Sequence, residues 1–197
     1  MKTKLIIAAF AGVFTFATAQ AATSMSTTEY KSQKDRLEAN YKTAKERCKA
    51  MTANAKDICQ AEVKGEHEVA EAELKATRDG TPKSQYDVRA AKAEATYKVA
   101  KEKCDDLKGN DKDVCVKEAK SAHIKAKADA KVAKEVKKVA TGETPMAKAP
   151  EKIADTKRDA KDDKRDAEYK VAKEKCDALS GQPKDNCIAQ AKLKFAK

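Results

Sequence analysis

Tyr97, Ala100, Cys104 and Leu107 follow one another at steps of 3, 4 and 3, and Cys115, Ala119, Ala122 and Ala126 at steps of 4, 3 and 4. Such steps keep returning to one side of a helix, so each series predicts an α-helix with a narrow apolar stripe. The residues between are mostly Ala, Lys, Glu, Arg and Gln, which lose little on entering a helix.

The pattern occurs three times. Tyr41-KTAKERCKAMTANAKDIC-Gln60, Tyr97-KVAKEKCDDLKGNDKDVC-Val116 and Tyr169-KVAKEKCDALSGQPKDNC-Ile188 align without a gap. Each reads Y-K-x-A-K-E-[KR]-C, ten residues and a second cysteine, and the tyrosines stand 56 and 72 residues apart. The repeated unit, not the whole chain, is therefore what has to fold. Glu38/Lys42, Glu94/Lys98 and Asp166/Lys170 are aligned acid-before-base pairs at i,i+4, each worth about 0.2 to 0.5 kcal/mol.

A turn separates the two stripes of a unit. Gly109 and Gly181 align, with Ala53 at that place in the first unit, and glycine suits the left-handed residue that follows a helix. Asn54, Asn110 and Gln182 come next as expected N-caps, Pro183 fits a first helical position, and Asp57, Asp113 and Asp185 suit the positive end of a helix dipole. Each unit thus reads as an αα-hairpin. The competing reading is one continuous helix, because residues 11 apart return to nearly the same face; Thr52-Ala53-Asn54 resists it less than Gly109-Asn110 or Gly181-Gln182-Pro183. Asp79-Gly80-Thr81-Pro82 and the stretch from Thr141 to Pro150 carry the Gly and Pro that mark breaks. The expected fold is all-α: three helical hairpins over 25–79, 84–140 and 151–197, with 141–150 a Pro/Gly-containing linker and flexible joins that leave the hairpins free to move relative to one another.

Composition shows why such hairpins need help. The 197-residue chain has 43 Lys plus Arg against 32 Asp plus Glu, a formal charge of +11, and 38 of its apolar residues are alanine. Beyond residue 21, Leu, Ile, Val and Phe supply 20 of 176 residues, about 11%, under the roughly 20% at which high charge signals disorder. A conventional core is out of reach, and with it the pocket that holds catalytic groups in place. No Gly-rich phosphate loop, G-x-S-x-G or H-E-x-x-H occurs, so the chain reads as a non-enzyme with no cofactor.

The cysteines supply the help. Six allow 15 pairings by counting, but the repeat favours Cys48 with Cys59, Cys104 with Cys115, and Cys176 with Cys187, each pair symmetric about its turn. A bridge needs Cα atoms within about 6.8 Å, closer than the roughly 8 to 10 Å of typical helix pairs, and alanine beside the cysteines permits that approach. Closing a loop of about 12 residues contributes roughly 3 kcal/mol in the chain-entropy model. His67 and His123, each eight residues after a cysteine, raise zinc or soft-metal binding as a rival use. Against it, the third unit carries Phe195 there, C-x10-C is not a common zinc spacing, and an oxidising compartment favours disulfides; a redox role is disfavoured because no C-x-x-C serves thiol exchange.

Met1 to Lys4 carries two lysines, Leu5 to Phe16 is apolar, and Ala17-Thr18-Ala19 or Ala19-Gln20-Ala21 offers a small-x-small cleavage site. That is the layout of a secretory signal peptide over residues 1–21, shorter than the roughly 20 apolar residues of a membrane span. The expected destination is the bacterial periplasm, where disulfides persist; the mature chain has no transmembrane segment, is expected to be soluble and keeps a charge of +9. Ala119 to Ala140 holds Lys120, Lys125, Lys127, Lys131, Lys134, Lys137 and Lys138 against Asp129 and Glu135, a stretch suited to a salt-sensitive attraction for an anionic polymer. In that compartment the candidates are peptidoglycan and lipopolysaccharide; nucleic acid is disfavoured by the lack of aromatic stacking platforms.

AKSAHIKAKADAKVAKEVKKVA and AKDDKRDAEYKVAKEK resemble the long helical middle region of TolA-type cell-envelope proteins, a likeness of composition that runs over most of the mature chain. The resemblance implies an extended helical envelope protein. The chain departs from that family in lacking a retained anchor and an evident globular C-terminal domain, and in its repeated cysteine pair. The functional expectation is a structural or interaction protein of the envelope presenting charged helical surfaces to an envelope protein or anionic polymer. The alternatives are a stress-linked holdase chaperone, or a metal or thiol buffer using the Cys and His positions.

Overall fold

The computed structural model of the chain describes residues 25–197; the expected leader, residues 1–21, lies outside them. Six α-helices account for nearly all of the described chain: α1 Thr27–Cys48, α2 Ala53–Asp79, α3 Pro82–Cys104, α4 Gly109–Ala140, α5 Ala149–Cys176 and α6 Gly181–Phe195. They pair as the three expected hairpins, α1 with α2, α3 with α4 and α5 with α6, each bridged beside its turn. Cys48–Cys59, Cys104–Cys115 and Cys176–Cys187 bring Cα atoms to 5.5, 5.6 and 5.7 Å. Cys48, Cys104 and Cys176 are the largest fully buried side chains among the described residues, so the staple is also the best-protected apolar group at each turn.

The turns differ from expectation in one respect. Each first helix stops at its cysteine, and Met51, Leu107 and Leu179 close a further turn by donating N–H to the Cys48, Cys104 and Cys176 carbonyls. Leu107 therefore leaves the stripe and stands 42% exposed, as do Met51 at 43% and Leu179 at 44%. Thr52, Lys108 and Ser180 are extended, and Ala53, Gly109 and Gly181 follow with φ of 50°, 55° and 57°. The left-handed residue thus opens the second helix instead of ending the first, and none of α2, α4 or α6 has a side-chain cap. The aligned Asn54, Asn110 and Gln182 are not N-caps; Asn54 Nδ2 instead donates to the Glu102 carbonyl of α3 at 2.8 Å, tying two neighbouring turns together.

The joins between hairpins are packed against the helices they connect. Gly80 at φ 62° ends α2, and Thr81 starts α3 with a reciprocal capping box to Ser84 and Pro82 in the first turn, so two residues reverse the chain. In the longer join, Thr144 is buried, its N–H donating to the Lys138 carbonyl and its hydroxyl to Glu135 Oε1 at 3.2 Å, and Met146–Lys148 forms a 3-10 turn that runs into α5.

Helices accordingly pack in chain order as a single up-and-down layer, each against its predecessor and successor, with the α2–α3 and α4–α5 seams as extensive as those within hairpins. Small residues make this approach feasible: a Cβ on Gly65 would stand 2.7 Å from the Ala95 Cβ. Ion pairs then bridge the seams, Glu62–Lys103, Glu68–Lys98 and Glu73–Lys92 in one, Glu118–Lys175, Glu174–Lys117 and Asp163–Lys131 in the other. Glu62 aligns with Glu118 and Lys103 with Lys175, so the repeat extends to the contacts between units.

Candidate interaction surface

A second contact between the two helices lies about two helical turns along from each disulfide. Tyr41 stacks on His67 with ring centroids 4.5 Å apart, Tyr97 meets His123 at 5.1 Å, and Tyr169 meets Phe195 edge-on at 6.2 Å. These are the aligned residues that opened the metal reading. The structure places both histidines, about 14 and 13% exposed, as aromatic partners inside a hairpin. His67 Nε2 faces Glu38 at 3.6 Å and Glu71 at 3.8 Å, while His123 Nδ1 lies 3.1 Å from the Ala93 carbonyl and its Nε2 3.4 Å from Glu94. Among the described residues no three His, Cys, Asp or Glu side chains are grouped to hold a metal ion, and no cysteine is free.

The seven lysines of α4 do not form one free cationic strip. Lys125 pairs with Glu168, Lys131 with Asp163 and Lys138 with Glu135, while the Lys134 ammonium stands 4.6 Å from the Tyr86 ring centre. Lys120, Lys127 and Lys137 have no ion-pair partner among the described residues, and Lys120 and Lys137 are exposed. Sequence reasoning counted charge along one helix; it could not see that α5 brings acids to meet Lys125 and Lys131.

Exposed pairs elsewhere set local titration. The hydrogen bond from Lys184 holds the Asp177 carboxyl below its ordinary value, and Lys197 does the same for Asp166. Asp105, aligned with Asp177, raises Lys112 through its hydrogen bond.

The two faces of the layer differ. One is grooved between helices, and Gly65, Val69, Ala95, Val99 and Ala100 line an apolar cleft of about 590 Å³ between α2 and α3. The equivalent cleft between α4 and α5 has Ser121, Lys125, Glu168 and Val171 where the first has Gly65, Val69, Thr96 and Val99, and the Lys125–Glu168 pair crosses it. Sequence reasoning missed these clefts, whose signal was the small residue at Gly65 and Ser121. No helix among the described residues is long and apolar enough to cross a membrane, and three disulfides fit an oxidising, extracytoplasmic environment. No family model, curated protein or solved structure matches the chain.

Proposed function

We propose that this is a non-enzymatic structural or interaction protein of the bacterial envelope, exported to the periplasm by a signal peptide, residues 1–21, that is then cleaved, and that it offers its charged helical layer to an envelope protein or anionic polymer. The observation that carries this reading is the layer itself. Three oxidised hairpins one helix thick leave charged side chains on both faces, and the accessible surface of the chain totals 14029 Å², a large area for the little apolar material the chain contains. Crosslinking in intact cells followed by identification of the captured species tests it, with fractionation and the mass of the mature N-terminus testing export. Recovery with cytosolic components, or a retained leader, defeats the reading.

The apolar cleft between α2 and α3 supports a second reading, a holdase that shelters extended apolar segments of unfolded clients. Such a protein suppresses light scattering of an aggregating client at near-stoichiometric ratios, and the variants Val69→Glu and Val99→Glu abolish that effect. Unchanged scattering with wild-type protein refutes it.

A further inference from the structure

Six lysines repeat at two places in every unit: Lys45, Lys101 and Lys173 on the first helices, and Lys64, Lys120 and Lys192 on the second. All six are exposed, and none has an ion-pair partner among the described residues. The other lysines that recur in all three units are paired in two units of the three: Lys42 and Lys98 with Glu38 and Glu68, and Lys112 and Lys184 with Asp105 and Asp177, leaving Lys170 and Lys56 without a partner among the described residues. The two row positions are the recurrent ones at which no unit forms a pair.

The six are also level. In each hairpin both lysines lie between the disulfide and the aromatic pair, Lys45 and Lys64 falling within the bounds set by Cys48–Cys59 and Tyr41–His67, and the other units alike. Across the seam, Lys64 and Lys101 lie between the Glu62–Lys103 and Glu68–Lys98 bridges, and Lys120 and Lys173 between Glu118–Lys175 and Lys125–Glu168. They share a face as well. Lys64, Lys101, Lys120, Lys173 and Lys192 each stand two residues before one that lines a groove, Glu66, Lys103, Ala122, Lys175 and Lys194. Two residues is about 200° of helix, which turns the row to the ungrooved side.

Neighbouring helices about 8 to 10 Å apart make this a straight line of positive charges at that interval, crossing all six helices. The carboxylates flanking it along the helices are already met: Glu38, Glu68, Glu94 and Asp166 by Lys42, Lys98 and Lys197, and Asp105 and Asp177, one turn from Lys101 and Lys173, by Lys112 and Lys184, while Asp57, Asp113 and Asp185 lie beyond the disulfides. The interval is wider than the roughly 3.4 Å axial charge repeat of one nucleic-acid strand and suits a chain charged once every sugar or two. Tyr41, Tyr97 and Tyr169 are engaged between helices and leave no ring for base stacking, and the row lacks the bulky apolar face of a membrane-surface helix. Resting on the envelope reading above, we propose that Lys45, Lys64, Lys101, Lys120, Lys173 and Lys192 form the track for a linear acidic polysaccharide laid across the helix axes.

The test titrates labelled alginate oligosaccharide with oxidised full-length mature protein and with two charge-matched variants that keep the wild-type circular dichroism spectrum. One variant changes the six row lysines to Gln; the other changes Lys31, Lys75, Lys108, Lys148, Lys152 and Lys157. The row variant is expected to bind about 100-fold more weakly and to lose several units of the slope of log K against log salt, with the other variant within about threefold of wild type. Equal weakening of both variants overturns the track and leaves a general attraction for anionic polymer standing. Tighter binding to a single-stranded oligonucleotide or to anionic phospholipid vesicles overturns the ligand class. No binding to alginate overturns the track, and the in-cell crosslink then reports separately on the envelope reading.

Discussion

Replacing Ala53 by glycine should stabilise the protein. Ala53 has φ of 50°, and a left-handed residue with a Cβ costs about 1 to 2 kcal/mol. Glycine removes that cost but adds about 0.4 to 1 kcal/mol of chain freedom in the unfolded state, leaving a net gain of about 0.5 to 1 kcal/mol. The other units provide internal controls, because the same place holds Gly109 at 55° and Gly181 at 57°, and a Cβ on either would meet nothing within 4 Å. Gly109→Ala and Gly181→Ala therefore isolate the backbone term, and each should lose about as much as Ala53→Gly gains. At this size about 1 kcal/mol moves Tm by about 2 to 4 °C. Thermal unfolding followed by circular dichroism with disulfides intact measures all three. A lower Tm for Ala53→Gly, or an unchanged one for both Gly→Ala variants, refutes the assignment of strain.

Converting Cys104 and Cys115 together to Ser should lower stability by about 3 kcal/mol, read as a lower denaturant midpoint, with an m-value equal to or above that of the wild type because the freed unfolded chain expands. Gly65→Ala should destabilise by up to about 2 kcal/mol, an overpacking loss of about 1 to 3 offset by about 1 of helix propensity; Ser121→Ala, at the aligned position that already carries a side chain, should be near neutral in the same melts. His67→Phe and His123→Phe should be tolerated, since Phe195 fills that place in the third unit, whereas His67→Ala should lose about 1 kcal/mol or more of aromatic contact. Asp166 and Asp177 have lowered folded values, so their contribution is present above the unfolded carboxylate value, near 4, and is lost as pH falls through the folded one. Tm should thus hold from pH 8 to about 5 and drop below about pH 4, less steeply in Asp177→Asn.

The hairpins and their staples were legible because the information is local and repeated: two cysteines 11 residues apart, flanked by helix-forming runs, define a hairpin within 20 residues. The seams between hairpins were not. Glu62 and Lys103 lie 41 residues apart in sequence, and only the two-residue reversal at Gly80-Thr81 brings them together. Gly and Pro in that stretch mark a break equally well in a slack linker or a tight turn; the capping box from Thr81 to Ser84 decided for the turn. The same blindness to neighbours made the α4 lysines look free when Glu168 and Asp163 were waiting on α5. His67 and His123 were read through their distance from cysteine, while their partners, Tyr41 and Tyr97, had already been used to align the repeat.

A chain this poor in large apolar residues folds because its contacts are made between neighbours in a row. With each helix touching only the next, stability is close to a sum of hairpin and seam terms, and each seam depends on what stands at its closest approach. Gly65 lets α3 come within contact of the α2 backbone, and Ser121, only 7% exposed, holds the aligned place on α4. On α6 that place belongs to Leu193, 83% exposed. A helix docking there as α3 docks on α2 would strike a large side chain instead of a glycine. The outer face of α1 is polar in the same sense, with Asp35, Arg36 and Thr43 on it. The α1 edge keeps Ala39 at the place of Ala95, but the α6 edge carries Leu193 where Gly65 and Ser121 stand, so the pairing that joins the interior helices is missing one side, which favours a finite layer over one that extends by adding copies edge to edge.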